Sequence, residues 1–127
     1  MSVSKTLLIL GGASDIGYAV AKAYAAHRWR IILAGRDADA LERNCRDLAI
    51  RGATAAEAVR LDVLSTEANP FLDALPRLPD TVVCVVGLLG NQERAQIESG
   101  YARIILRTNF EAPAVLLDAI AARMAAR

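Results

Sequence analysis

Residues 5–17 read KTLLILGGASDIG, and this stretch decides the fold. The apolar run over residues 5–10 stops at a pair of glycines, as a buried strand of a parallel sheet does. From residue 15 to residue 28, small and apolar residues recur at helical spacing, namely Ile16, Ala19, Val20, Ala23, Tyr24 and Ala26. A glycine-rich turn between a predicted strand and a predicted helix is the position of a dinucleotide-binding fingerprint.

Strand and helix patterns alternate along the rest of the chain. We predict further strands over residues 31–34, 54–61 and 81–86, a loop at 90–92, and helices over residues 39–51, 65–75 and 99–126. In the helix over 39–51, the residues expected to face the core are Leu41, Cys45, Leu48 and Ile50. Such alternation builds a parallel sheet with right-handed crossovers. The predicted fold is therefore α/β, a Rossmann-like doubly wound parallel sheet in α/β/α layers, with about four strands in the order 3-2-1-4.

The composition is that of one small domain rather than of a nucleic-acid-binding or membrane protein. The chain has 127 residues, of which 54% are apolar, enough for one packed core. Its 15 Lys and Arg and 14 Asp and Glu leave a net charge of +1 and no basic surface for nucleic acid or anionic lipid. The apolar runs are too short to span a bilayer, and 2 cysteines and 1 histidine show no metal-ligand spacing. We expect one cytoplasmic domain over residues 1–127, with no metal, membrane or nucleic-acid partner.

The glycine turn fits the pattern G-x-x-G-x-x-G with Ser14 in place of the middle glycine. Gly11 permits the tight turn, and Gly17 lets the helix pack closely on the strand. The helix N-terminus offers free N–H groups to a pyrophosphate, so Asp15 and Ile16 also count as predicted cofactor-binding positions. Ser14 caps the helix, donates its hydroxyl to a phosphate, or does both. The other interpretation is an ordinary strand-to-helix turn with a serine cap.

The end of the second strand indicates which nucleotide would bind. An NAD site usually places an acidic residue about 20 residues past the glycines, on the ribose 2′-hydroxyl. Gly35 occupies that place, and Arg36 follows at once. A small residue beside a guanidinium suits a 2′-phosphate, so we predict NADP, with NAD as the second choice. Arg36 is otherwise a solvated loop charge, and Asp37 either reaches the ribose or, like Asp39, caps the following helix.

The chain as a whole resembles the N-terminal half of a short-chain dehydrogenase/reductase. The landmarks that match are the glycine turn, Arg36, residues 61–63 (LDV), Gly87 and residues 108–110 (TNF). The resemblance implies that Asp62 and Val63 flank the adenine, that Gly87 passes along the adenosine ribose, and that Asn109 is the first member of the catalytic tetrad. It also implies hydride transfer between a nicotinamide cofactor and a small-molecule ketone or secondary alcohol, in a protein that can be a homo-oligomer.

Two patterns bear on the catalytic residues. Pro113 lacks an N–H and cannot bond to the carbonyl of Asn109, which by resemblance holds a proton-relay water. The other interpretation is a packing kink with a buried asparagine whose side chain is satisfied locally. Tyr18 and Lys22 match the family's Tyr-x-x-x-Lys, but they follow the glycine turn instead of lying beside the nicotinamide. We therefore reject Tyr18 and Lys22 as a catalytic pair.

Some of the family's pattern is altered in this chain. Residues 84–87 read CVVG where the family usually has Asn-Asn-Ala-Gly, and the glycine turn is shorter than its common form. These traits, together with residues 87–90 (GLLG), look similar to the branch that includes the decaprenylphosphoryl keto-sugar reductases. The resemblance to that branch implies nothing specific about substrate contacts, which in the family lie mostly in the other half.

The chain is expected to be truncated. In the order 3-2-1-4 the apolar strand over 81–86 lies at the sheet edge, which complete domains cover. In the family, the catalytic serine, tyrosine and lysine follow a fifth strand. We therefore expect the cofactor-binding half of an NADP(H)-dependent oxidoreductase, inactive alone. The alternatives are a non-catalytic NAD(P)-binding regulatory or redox-sensing module, and a fragment with no function of its own.

Overall fold

Four parallel strands form the central sheet of the computed structural model, which describes residues 4–127. They are β1 (Thr6–Leu10), β2 (Arg30–Gly35), β3 (Ala55–Arg60) and β4 (Thr81–Cys84). Their pairing gives the order β3-β2-β1-β4. The predicted strand order is confirmed, and so is the position of the fourth strand at the sheet edge. Residues 1–3 of the predicted domain lie outside the described residues.

Helices connect the strands and cover both faces of the sheet. They are α1 (Asp15–Ala25), α2 (Ala38–Ile50), α3 (Ala68–Ala74), α4 (Gln92–Ile97), α5 (Ser99–Leu106) and α6 (Ala112–Ala125). A π-helical turn, Arg107–Glu111, joins α5 to α6. Among residues 4–127, no helix is long and apolar enough to cross a membrane.

The segment after β4 departs from the predicted loop at 90–92 and single helix over 99–126. Gln92 already belongs to α4, because the Asn91 side chain accepts a hydrogen bond from the Arg94 N–H (2.9 Å) and caps a new helix. Further on, the Ala112 N–H donates to the carbonyl of Arg107, the i−5 spacing of a π-helical turn. The predicted continuity of the last helix is therefore wrong.

Both faces of the sheet carry apolar side chains. The residues facing α3 and α6 are Leu8, Leu10, Ile32 and Ala34, and those facing α1 and α2 are Leu7, Ile9, Ile31 and Leu33. Consecutive strand residues point to opposite faces, so a strand covered on both sides needs an unbroken apolar run. Residues 7–10 and 31–34 are accordingly 0% exposed. The predicted buried strands at these positions are confirmed.

Helix α2 is anchored by one apolar stripe. Leu41, Cys45 and Leu48 are buried against the sheet, as predicted. Burial raises the pKa of the Cys45 thiol to about 11, so this thiol is neutral at physiological pH. Ile50, which was expected to face the core, is 85% exposed. That expectation is wrong because Ile50 lies roughly 200° around the helix from Leu48.

Helix α1 packs through a different face from the one its larger apolar residues suggest. Its buried residues are Gly17, Ala21 and Ala25, whereas Ile16 is 68% exposed. A Cβ placed on Gly17 would lie 2.7 Å from the carbonyl oxygen of Gly11, so the helix lies in close contact with the turn. The close approach selects the smallest residues of α1 for its buried face rather than the most apolar ones.

Two substitutions in α2 test this placement of the helix. Leu48→Ala should lower the free energy of unfolding by about 2–5 kcal/mol, because the side chain it truncates is fully buried. Ile50→Ala should change it by less than about 0.5 kcal/mol, because that side chain is exposed. Urea denaturation followed by circular dichroism measures both. Equal losses at the two positions would contradict the orientation of α2.

Candidate functional site

A cleft of about 300 Å³ lies at the carboxyl ends of the strands. It brings together six of the predicted cofactor-binding residues, which are Gly11, Ser14, Arg36, Asp62, Val63 and Gly87. The helix after β1 covers one face of the sheet and α6, which follows β4 in the chain, covers the other, so the chain diverges between these two strands. In open parallel sheets, ligands bind at such a divergence point, beyond the carboxyl ends of the strands.

The glycine turn requires glycine at two positions, Gly11 because of its backbone conformation and Gly12 because of close packing. The N–H groups of Gly11 and Gly12 both donate to the carbonyl of Ala34 (2.8 and 3.0 Å), which ties the turn to the end of β2. Gly11 has a φ of +96°, in the region that favours glycine. A Cβ on Gly12 would lie 2.7 Å from the Cβ of Leu33. Gly17 lies outside the cleft wall, beneath the turn.

Ser14 closes the turn and starts helix α1. Its hydroxyl accepts a hydrogen bond from the Gly17 N–H (3.0 Å) and donates one to the Gly11 carbonyl (3.0 Å). The N–H groups of Ala13, Asp15 and Ile16 have no acceptor among residues 4–127, and all three residues are exposed. Unpaired N–H groups at the positive end of a helix dipole form an anion-binding site. Asp15 and Ile16 lie beside the cleft rather than in its wall.

The ends of β2 and β3 bring two arginines together, Arg36 in the cleft wall and Arg60 beside it. A guanidinium nitrogen (NH1) of Arg60 donates to the carbonyl of Arg36 (3.3 Å), and parallel pairing puts Arg60 opposite Gly35. Both arginines are exposed, and neither has a carboxylate within 4.0 Å among the described residues. The Asp37 carboxylate accepts from the Ala40 N–H (3.1 Å), which makes Asp37 the cap of α2. Sequence reasoning missed Arg60, because only the strand register brings it to Arg36.

The turn after β3 is held by its own side chains. The Asp62 carboxylate accepts a hydrogen bond from the Leu64 N–H (3.1 Å), and the Asp62 N–H donates to the Thr66 hydroxyl (3.2 Å). Val63, between them, contributes to the cleft wall. On the opposite wall Gly87 is exposed. These bonds leave Asp62 and Val63 in a fixed arrangement at the edge of the cleft.

Asn109 links the π-helical turn to the loop that follows β4. Its Oδ1 accepts from the Leu88 N–H (2.6 Å) and its Nδ2 donates to the Leu88 carbonyl (2.8 Å). Its side chain is thus satisfied locally, although the residue is exposed and not buried. Asn109 lies outside the cleft wall, to which the preceding Thr108 belongs. The Thr108 hydroxyl is buried with no hydrogen-bond partner in the described part of the chain, a feature that sequence reasoning gave no signal for.

Comparison with known proteins shows which proteins resemble this chain in sequence and fold. No protein-family model matches the chain. An uncharacterized oxidoreductase of Mycobacterium tuberculosis, in each of two strains, is 33% identical over 122 residues, which is 93% of this chain and 49% of that protein. A solved short chain dehydrogenase/reductase family protein aligns with a TM-score of 0.82 and 26% identity, over 100% of this chain and 53% of that one. An actinorhodin polyketide ketoreductase solved with NADPH shares the fold, with a TM-score of 0.78 and 19% identity over 94% of this chain and 48% of its own.

In fold and in sequence the chain is similar to short-chain dehydrogenases/reductases and to an oxidoreductase. It spans about half the length of the relatives that it matches. The resemblance predicted from the glycine turn and the later landmarks is confirmed. The narrower resemblance to the decaprenylphosphoryl keto-sugar reductases stays a prediction.

Tyr18 and Lys22 lie apart from the cleft. The Lys22 ammonium lies 4.8 Å from the centre of the Tyr18 ring, so the two residues contact one another along α1. Neither belongs to the cleft wall. Among residues 4–127, no cluster of three or more His, Cys, Asp and Glu side chains could hold a metal ion. The charged side chains of the cleft wall are Arg36, Asp37 and Asp62.

The Asn109 link predicts a local change in backbone protection. Asn109→Ala removes the acceptor of the Leu88 N–H and should speed hydrogen exchange of that amide about tenfold. Asn109→Asp keeps an acceptor oxygen and should leave the Leu88 amide closer to its original rate. Amide exchange followed by NMR measures both, with the Val85 N–H, bonded to the Leu10 carbonyl (2.8 Å), as an unaffected reference. An unchanged Leu88 rate in Asn109→Ala would contradict the link.

Proposed function

We propose that this chain is the NADP(H)-binding part of a short-chain dehydrogenase/reductase that transfers hydride to or from a small-molecule ketone or secondary alcohol. The observation that carries the proposal is a single cleft with unpaired N–H groups of the α1 N-terminus at one side and Arg36 at the other. Arg60 bonds to the Arg36 carbonyl, and neither arginine has a carboxylate partner among the described residues. NADPH carries a diphosphate and a 2′-phosphate, and each needs an anion site of this kind. When bound, the cofactor supplies the hydride of the reaction.

The N-terminus of α1 is the proposed diphosphate site. The N–H groups of Ala13, Asp15 and Ile16 are unpaired within the described residues and open to solvent. The Ser14 hydroxyl already bonds to the Gly11 carbonyl and the Gly17 N–H, so its role in this proposal is to hold the turn. The diphosphate would therefore be bound by the backbone and the helix dipole rather than by a side-chain cation.

The arginine pair is the proposed 2′-phosphate site and the reason to favour NADP over NAD. An NAD site usually places a carboxylate at the end of β2 on the ribose, and here Gly35 and Arg36 stand there instead, with Asp37 capping α2. Arg36 and Arg60 instead present two guanidinium groups without a carboxylate partner in the described residues. Each guanidinium forms strong, charge-assisted hydrogen bonds with a phosphate. Both residues would favour NADPH over NADH.

The remaining predicted positions complete the proposed path of the cofactor. Asp62 and Val63 would flank the adenine, and Gly87 would pass along the adenosine ribose. Asn109 would support the proton relay through its main-chain carbonyl, because its side chain is engaged with Leu88. The residue four positions later is Pro113, which has no N–H to offer to that carbonyl. A water molecule could accordingly bond there.

The names of the relatives favour an oxidoreductase over a purely regulatory nucleotide-binding module. The catalytic serine, tyrosine and lysine of the family are not among the residues that the cleft brings together. We therefore propose that the 127-residue chain binds NADPH without turnover by itself. Titration with NADPH and NADH, followed by protein and nucleotide fluorescence, tests the binding. No detectable binding of either nucleotide at millimolar concentration would refute the proposed function.

Gly17→Val should weaken NADPH binding by about 100-fold or more. The new side chain would meet the Gly11 carbonyl and push α1 off the turn, which displaces the N–H groups of the proposed diphosphate site. Ala19→Val is the matched control, because it adds the same β-branched side chain at an exposed position of α1. Isothermal titration calorimetry of both variants gives the comparison. Wild-type affinity in a folded Gly17→Val variant would refute the fingerprint assignment.

Arg36→Ala should weaken NADPH binding by about 10- to 100-fold and leave NADH binding nearly unchanged. Arg60→Ala should act in the same direction. Arg46→Ala removes an exposed arginine of α2 outside the cleft wall and serves as the charge control. Dissociation constants for both nucleotides at fixed salt concentration measure the effect. Equal losses for NADPH and NADH would mean that Arg36 does not read the 2′-phosphate.

A further inference from the structure

Asn44 lies on α2, outside the cleft wall, yet it reaches the glycine turn. Its Nδ2 donates to the carbonyl of Gly12 (3.2 Å) in a partly buried contact between two elements far apart in sequence. We infer that Asn44 is a positioning residue that orients the backbone of the diphosphate site. This inference rests on the proposed function, because it concerns the N–H groups assigned to the diphosphate.

The carbonyl that Asn44 holds shares a peptide plane with one of those N–H groups. The Gly12 carbonyl and the Ala13 N–H belong to the same peptide unit, which is trans, since the described residues contain no cis peptide bond. In a planar trans unit the C=O and N–H bonds point in opposite directions. A hydrogen bond from Asn44 to the carbonyl therefore aims the Ala13 N–H away from α2 and toward the cleft, whose wall includes Ala13.

No other hydrogen bond among the described residues holds this peptide unit. The Gly11 carbonyl has two donors, the Ser14 N–H (3.2 Å) and the Ser14 hydroxyl (3.0 Å). The Gly12 carbonyl has only Asn44 among residues 4–127, and the Ala13 N–H has no partner there. Glycine places few limits on its own ψ angle, so the peptide after Gly12 would otherwise be free to rotate. Asn44 removes that freedom before a ligand arrives.

Helix α2 is well suited to hold the turn in place. It is fixed to the sheet by Leu41 and Leu48, which are 1% and 0% exposed. Its first turn follows Arg36, and its cap is Asp37. The start of α2 thus borders the proposed 2′-phosphate site. Asn44, in the second turn of α2, contacts the backbone of the proposed diphosphate site. Asn44 links the geometry of the two sites.

Two neutral variants test this role. Asn44→Leu keeps the branched shape of the side chain and removes the donor, and Asn44→Ala truncates the side chain at Cβ. Both should weaken NADPH and NADH binding equally, by about three- to tenfold, the effect of one lost hydrogen bond. Adenosine 2′-monophosphate, which lacks the diphosphate, should bind as tightly as it does to the wild type. Arg43→Ala, an exposed neighbour on α2 outside the cleft wall, is the control.

The outcomes separate a positioning role from a general structural one. Equal losses for the two dinucleotides, with unchanged binding of adenosine 2′-monophosphate and a shifted Ala13 amide resonance in the free protein, support the inference. Unchanged dinucleotide affinity in both variants overturns it, and so does an equal loss for adenosine 2′-monophosphate, which would indicate a loosened α2. If the wild type binds neither dinucleotide, the proposed function fails, and this inference fails with it.

Discussion

The site depends on close packing of the glycine turn against strand β2 and helix α1. A Cβ on Gly12 would lie 2.7 Å from Leu33, and one on Gly17 would lie 2.7 Å from the Gly11 carbonyl. The close approach brings the N-terminus of α1 to the carboxyl end of β1, so that the unpaired N–H of Ala13 lies in the cleft wall and those of Asp15 and Ile16 lie beside it. A larger residue at either position would separate helix from sheet and remove the anion site together with the packing.

The same turn is held by hydrogen bonds from three different elements. The Ala34 carbonyl at the end of β2 accepts from Gly11 and Gly12, Ser14 closes the turn from α1, and Asn44 donates from α2. The N–H groups of Ala13, Asp15 and Ile16 remain unpaired among the described residues. The turn is therefore held rigidly and still keeps donors ready for an anion without a cation beside them.

Local patterns in the sequence were sufficient for the fold and for most of the cleft. The alternation of buried strands and helices gives the order β3-β2-β1-β4, and positions after strand ends, such as Arg36 and Asp62, follow from that order. Arg60 and Asn44 could not be predicted, because they reach their partners only through strand register and helix packing. The buried face of α1 was missed for a related reason, since Ala21 is selected there for its size and not for its hydrophobicity.

The two interpretations of Asn109 concern different atoms: one concerns its side-chain amide, and the other its main-chain carbonyl. Its side chain is satisfied by Leu88, which matches the view of a locally paired asparagine and fixes the loop beside Gly87. The main chain of Asn109 has different partners from its side chain. The Ala112 N–H bonds to the Arg107 carbonyl at i−5 spacing, and the next residue, Pro113, has no N–H to donate. A helix that continues through such a turn has to leave a carbonyl without a main-chain donor, either at Asn109 or at Thr108. The hydrogen bonds between the Asn109 side chain and Leu88 hold the π-helical turn beside the cleft. This structural role of the side chain would allow the Asn109 carbonyl to take a chemical role.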